Sequence, residues 1–139
     1  MSKLVVPVMT NAETRSNVSA RGSDTVLLVE REVLVRTSIA EYLRACGYRT
    51  LEARNAREAG VILGRPSESV DIVLSDAASG FELSHWIRVN RPEVKIVIGG
   101  TLERLARIAA ELCDSGLTAS RPYDPQLLVQ RIKALLGKD

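Results

Sequence analysis

An α/β domain built on a parallel sheet is the fold class this sequence predicts, and three observations predict it. Continuous apolar runs at Thr25-Val26-Leu27-Leu28-Val29, Asp71-Ile72-Val73-Leu74-Ser75 and Lys95-Ile96-Val97-Ile98-Gly99 read as strands covered on both faces, since a strand with one wet face would alternate. Segments with helical spacing lie between them. Two of the runs end on acids, Glu30-Arg31-Glu32 and Asp76. In open α/β sheets the ligand crevice lies outside the carboxyl ends of the strands, so these acids stand where chemistry is placed.

Taken in order, the first strand covers residues 25–29. Val35, Ile39, Leu43 and Cys46 then recur at helical intervals, and Gly47 ends that helix. Tyr48 to Leu51 is a weaker strand. Asn55 is suited to cap a short helix running through Ala59 and Ile62 to Gly64. Pro66-Ser67-Glu68-Ser69 forms a loop before the strand that ends at Asp76. Gly80 to Asn90 reads as a helix stopped before Pro92. The strand at Lys95 and a helix from Leu102 to Asp114 follow. A poorly marked fifth strand is expected near Leu117-Thr118-Ala119. Asp124-Pro125 opens the last helix, with Asp as N-cap and Pro at its first position. Five βα units imply a (βα)5 doubly wound, five-stranded parallel sheet with helices on both faces.

Composition narrows the function. The chain has 139 residues, 45% hydrophobic and 26% charged, enough for one globular core. Residues 1–23 carry the net charge of +2 through Lys3, Arg15 and Arg21 against Glu13, leaving the remainder balanced. A balanced domain lacks the clustered basic face of a nucleic-acid binder, so partner proteins or small molecules fit better. Leu4-Val5-Val6-Pro7-Val8-Met9 is too short and Pro-broken for a signal peptide or membrane span, and a cytoplasmic protein is expected. Residues 1–23 read as a flexible polar tail ahead of a domain over 24–139. Cys46 and Cys113, far apart and without a CxxC motif, read as buried reduced thiols, with a disulfide or a metal site as the alternative. Gly99-Gly100-Thr101 lacks the Lys and spacing of a P-loop, and His85 reads as a surface residue.

The motifs in order are Val26-Leu27-Leu28-Val29-Glu30-Arg31-Glu32, Gly47-Tyr48, Ala53-Arg54-Asn55-Ala56, Asp71 to Asp76, Gly80-Phe81-Glu82-Leu83, Pro92-Glu93 and Arg121-Pro122-Tyr123-Asp124-Pro125. Together they resemble a response-regulator receiver domain over about residues 24–138. The resemblance implies the flavodoxin-like receiver fold and a single-domain receiver in phosphorelay signalling. It implies no enzyme activity beyond self-catalysed phosphoryl transfer onto an aspartate. In such receivers an aspartate ending the third strand takes a phosphoryl group from a phosphohistidine while Mg²⁺ screens the charge.

Carried onto this chain, Asp76 falls at the phosphoacceptor position. Glu30, Asp76 and the backbone carbonyl of Ala78 would hold Mg²⁺. Arg121 stands where Lys is expected, and Thr101 is the phosphate-contact hydroxyl, one residue late by count. Arg31 occupies the second acidic position, and a guanidinium cannot ligate Mg²⁺. The loop after Asp76 is about four residues short for the family, and the customary aromatic of the fifth strand is missing. These departures mark an atypical acidic pocket, in which Arg31 is either a solvated surface residue or a guanidinium in the cation position, paired with Asp76 or Glu30.

Two function classes follow. The first is a phosphoacceptor served by a histidine kinase or phosphotransfer protein. The second is a phosphorylation-independent pseudo-receiver that docks another signalling protein. Homodimerisation through the face of the last two helices is the family's implied mode, with Ala109, Leu112, Leu127 and Leu128 as candidate contacts. Neither nucleic acid nor membrane is an expected partner.

Overall fold

A computed structural model describes residues 24–116 and 118–137. Residues 1–23, expected as a tail, lie outside the described residues, as do Leu117 and residues 138–139. The strands are β1 (Thr25–Val29), β2 (Arg49–Ala53), β3 (Ile72–Ser75) and β4 (Lys95–Ile98). The helices are α1 (Val33–Ala45), α2 (Ala56–Leu63), α3 (Ala77–Asn90), α4 (Leu102–Ser115) and α5 (Pro125–Leu136).

Every strand pairing is parallel, in the order β2-β1-β3-β4. Val26 to Val29 of the central β1 are wholly buried, as continuous apolar strands sandwiched between helical layers must be. Side-chain alternation divides the core in two. Val26 and Leu28 join α1, α4 and α5 through Ile39, Leu43, Ala109, Leu128 and Ile132. Leu27 and Val29 join α2 and α3 through Ala59, Leu63, Leu83 and Ile87. This doubly wound arrangement puts the carboxyl ends of β1 and β3 side by side, with Val29 paired to Ser75.

Capping chemistry sets the helix boundaries. Asn55 Oδ1 accepts the Glu58 N–H at 2.9 Å, and Asp124 Oδ1 accepts the Gln126 N–H at 2.8 Å. At the end of α1, Gly47 takes a φ of 98°, the left-handed conformation that only glycine adopts without strain.

Three expectations are corrected. The described residues supply four of the five expected strands. Of the expected fifth strand, Leu117 lies outside the described residues. Ala119 stands at φ 51°, and its N–H bonds back to the Gly116 carbonyl at 3.1 Å, which makes a turn and excludes extended backbone. α3 begins at Ala77 rather than Gly80, because Asp76 caps it. Cys46 and Cys113, 67 residues apart, are joined in a disulfide across the α1–α4 contact, with Cα atoms 5.3 Å apart. Both sit wholly buried in the same core cluster, which brings them within bridging range.

Candidate functional site at the carboxyl edge of the sheet

Asp76 extends the sheet by one bond, its N–H donating to the Val29 carbonyl at 3.0 Å, and then starts the helix. Its Oδ1 accepts the Ser79 N–H at 2.8 Å, and its own carbonyl accepts the Gly80 N–H at 2.9 Å. The Oδ2 atom accepts the Arg31 N–H at 3.3 Å. The half-buried carboxylate is therefore an N-cap at the positive end of α3, an electrostatically favourable place for an anion.

Glu30 lies beside it at the end of β1, 9% exposed, with Oε2 accepting the Glu32 N–H at 2.9 Å. Burial pushes the Glu30 carboxyl above its ordinary range. The Glu32 N–H pulls it back in part, and the negative charge of Asp76 pushes it up again. Glu30 is also anchored through its backbone, whose carbonyl accepts Arg36 Nη1 at 3.0 Å.

The structure brings together Glu30, Asp76 and the backbone of Arg31, but not the other expected groups. It is the Arg31 N–H, not its guanidinium, that meets Asp76. Among the described residues that guanidinium makes no ion pair with Asp76 or Glu30. The exposed side chain instead lines a cavity of about 650 Å³ with Arg54, Arg57, Ser79 and Glu82. Thr101 Oγ1 accepts the Arg104 N–H at 3.1 Å as the N-cap of α4. Arg121 forms a two-pronged pair with Asp114 at 3.1 and 3.0 Å, which raises its pKa and holds it on the outer surface. Ala78 lies in the first turn of α3, where carbonyls run along the helix axis toward its C-terminus and away from the capping carboxylate.

Glu30 and Asp76 bring two carboxylates to one place, a number by which Mg²⁺ can be held with waters completing its octahedron, and each of them also accepts backbone N–H groups. No cluster of three or more His, Cys, Asp or Glu able to hold a metal occurs among the described residues. Sequence reasoning missed Arg54 and Arg57 as cavity-lining cations. Their spacing around the Asn55 cap was the available signal, since both flank the start of α2.

No protein-family model matches the chain. It is 29% identical over 123 residues to the phosphate regulon transcriptional regulatory protein PhoB of Pseudomonas aeruginosa, covering 82% of this chain and 52% of that protein. It is 30% identical over 120 residues to the transcriptional regulatory protein AruR of the same organism, covering 81% of this chain and 49% of that protein. The chain thus spans about half the length of these two curated relatives. A response regulator from Thermotoga maritima superposes with a TM-score of 0.51 at 22% identity, covering 83% of this chain and 98% of that one. The chemotaxis response regulator CheY4 of Vibrio cholerae gives 0.51 at 20%, covering 81% and 98%.

The fold is the flavodoxin-like fold of CheY-like signalling proteins. With the relatives above, it makes the chain similar to the receiver domains of response regulators. Among the described residues no helix is long and apolar enough to cross a membrane.

Proposed function

We propose that this receiver domain serves two-component signalling as a protein-docking module held in one state, without accepting a phosphoryl group. The observation that carries this reading is the role of Asp76 as N-cap of α3, with the helix starting at the very next residue. A carboxylate attacks an anionic phosphoryl group only where cations screen the repulsion and donors await the transferred oxygens. Around Asp76 the expected donors are engaged elsewhere, Thr101 with Arg104 and Arg121 with Asp114. The partner of such a module is a histidine kinase, a phosphotransfer protein or another signalling protein that reads the fixed surface.

Intact-protein mass after incubation with acetyl phosphate, with and without Mg²⁺ and beside Asp76→Asn, tests the proposal. The expected result is an unchanged mass in every arm. The acceptor reading draws support from the adjacent carboxylates of Glu30 and Asp76, whose charges interact. One added phosphoryl group that requires both Mg²⁺ and Asp76 would establish that reading and overturn the docking-only one.

A further inference from the structure

α2 and α3 pack side by side on one face of the sheet, and a groove of about 780 Å³ runs between them. Each connects parallel strands of that sheet, so the two helices run in the same direction. Arg57 of α2 and Glu82 of α3 border both this groove and the cavity beside Arg31, which puts them at one level. One helical turn further along, four residues on in each helix, come Val61 and Trp86, and Val89 follows. The groove thus has a charged layer and an apolar layer. Val61 is 57% exposed and Val89 66%, and apolar side chains gathered at the surface mark an interaction site. The two charges are not used within the chain. Glu58, next to Arg57 in sequence, is held by Arg54 at 2.6 Å, and among the described residues neither Arg57 nor Glu82 makes an ion pair. The face of the last two helices is already committed by comparison. Ala109 and Leu128 are wholly buried and Leu112 is half-buried, so of the four contacts expected there only Leu127 is exposed. Its charges pair internally, Lys133 with Glu103 at 2.9 Å and Arg121 with Asp114 at 3.0 Å.

We propose that the α2–α3 face pairs with the same face of a second copy of this chain, about a twofold axis parallel to the two helices. Rotation about that axis keeps each level along the helices and sets α2 of one protomer against α3 of the other. Arg57 then meets the partner's Glu82, and Glu82 meets the partner's Arg57. One cation and one anion at the same level, on opposite sides of the axis, make the face its own electrostatic complement, and this selects a second copy as the occupant. In the next layer Val61 meets the partner's Trp86 and Val89, and the indole supplies the large aromatic anchor that interface centres favour. The pairing uses neither Glu30 nor Asp76. It therefore stands whether or not Asp76 accepts a phosphoryl group, and a failure of either proposal leaves the other intact.

Sedimentation equilibrium of the full chain over a range of protein concentration tests this, and a monomer–dimer equilibrium is expected. Arg57 and Glu82 are both exposed, so charge reversal at either leaves the core untouched. Arg57→Glu and Glu82→Arg, each studied alone, set like charges together at both contacts. Each is expected to raise the dissociation constant about tenfold, attraction having become repulsion. An equimolar mixture of the two variants restores both opposite-charge contacts and is expected to dimerise as tightly as the parent. Val61→Ser is expected to weaken the dimer and Leu127→Ser to leave it unchanged. A parent that stays monomeric at every concentration would overturn the proposal and leave the face to an unlike protein. A mixture no tighter than its components would overturn it as well. So would a dimer weakened by Leu127→Ser and unmoved by Val61→Ser, which assigns the contact to the last two helices.

Discussion

Asp76 holds the N–H of Ser79 at 2.8 Å, and that single bond joins the third strand of the sheet to the third helix with no loop between them. The residue that the sequence resemblance puts at the phosphoacceptor position is here the residue that starts a helix. The two roles make different demands on substitution. Asparagine caps a helix about as well as aspartate, whereas alanine does not cap at all. Asp76→Asn should unfold in denaturant within a few tenths of a kcal/mol of the parent, and Asp76→Ala should lose about 1 kcal/mol. Equal losses in the two variants would show that charge, not capping, is what the site requires.

The raised pKa of Glu30 makes stability depend on pH in a definite direction. The folded state binds the proton more tightly than the unfolded chain, so the stabilising contribution is complete below the ordinary pKa of 4.5. It is lost as pH rises from there through the raised folded value. Glu30→Gln keeps an oxygen for the Glu32 N–H and removes the buried charge. Denaturation midpoints across this range should fall with rising pH in the parent and flatten in the variant, which becomes the more stable protein at pH 7.

Gly80 sits where α3 crosses β4, and a Cβ added there would lie 2.7 Å from Cγ1 and 2.8 Å from Cδ1 of Ile98. Gly80→Ala should cost about 1 kcal/mol, the overpacking penalty exceeding the gain in helix propensity. In an Ile98→Ala background the obstructing atoms are gone, and the same substitution should become stabilising. A double-mutant cycle by urea unfolding reads the reversal of sign.

The Cys46–Cys113 link closes a 67-residue separation, and the chain-entropy model assigns such a loop about 4 kcal/mol. Dithiothreitol should therefore lower the unfolding midpoint of the parent and leave a Cys46→Ala, Cys113→Ala variant unmoved. An identical midpoint with and without reductant would mean that the parent carries two thiols.

The Tyr42 hydroxyl donates to the Tyr123 carbonyl at 2.6 Å, fastening α1 to the loop before α5, and the two rings meet edge to face with centroids 5.1 Å apart. Tyr42→Phe keeps the ring contact and removes the hydrogen bond. The expected cost is about 1 kcal/mol in equilibrium unfolding, since a part-buried carbonyl loses its donor.

Much of the fold was legible because strand burial and helix capping are written locally. The apolar run of β1, the Asn55 cap and the Asp124-Pro125 start all act over a few residues, and each appears where the pattern puts it. What escaped is what depends on the third dimension. The start of α3 moved because Asp76 reads equally well as a strand-end acid and as a helix cap, and only the missing loop decides between them. The cysteines carry no pairing signal in their spacing, since only the tertiary contact of α1 with α4 brings residues 67 apart together. In the candidate site, position along the sheet located Glu30 and Asp76, but side-chain direction placed the rest. Thr101 turns to its own helix and Arg121 to Asp114, choices set by neighbours that a strand count does not reveal.

The direct passage from β3 into α3 also fixes how the domain can move. A loop between strand and helix acts as slack, letting one shift while the other stays. Here Ser75 ends the strand, Asp76 caps, and Ala77 is already helical, so the strand tip and the helix form one lever. The angle of α3 to the sheet is therefore set at Asp76, one residue from the strand tip. A partner resting on that helix would meet a surface whose orientation no loop relaxes.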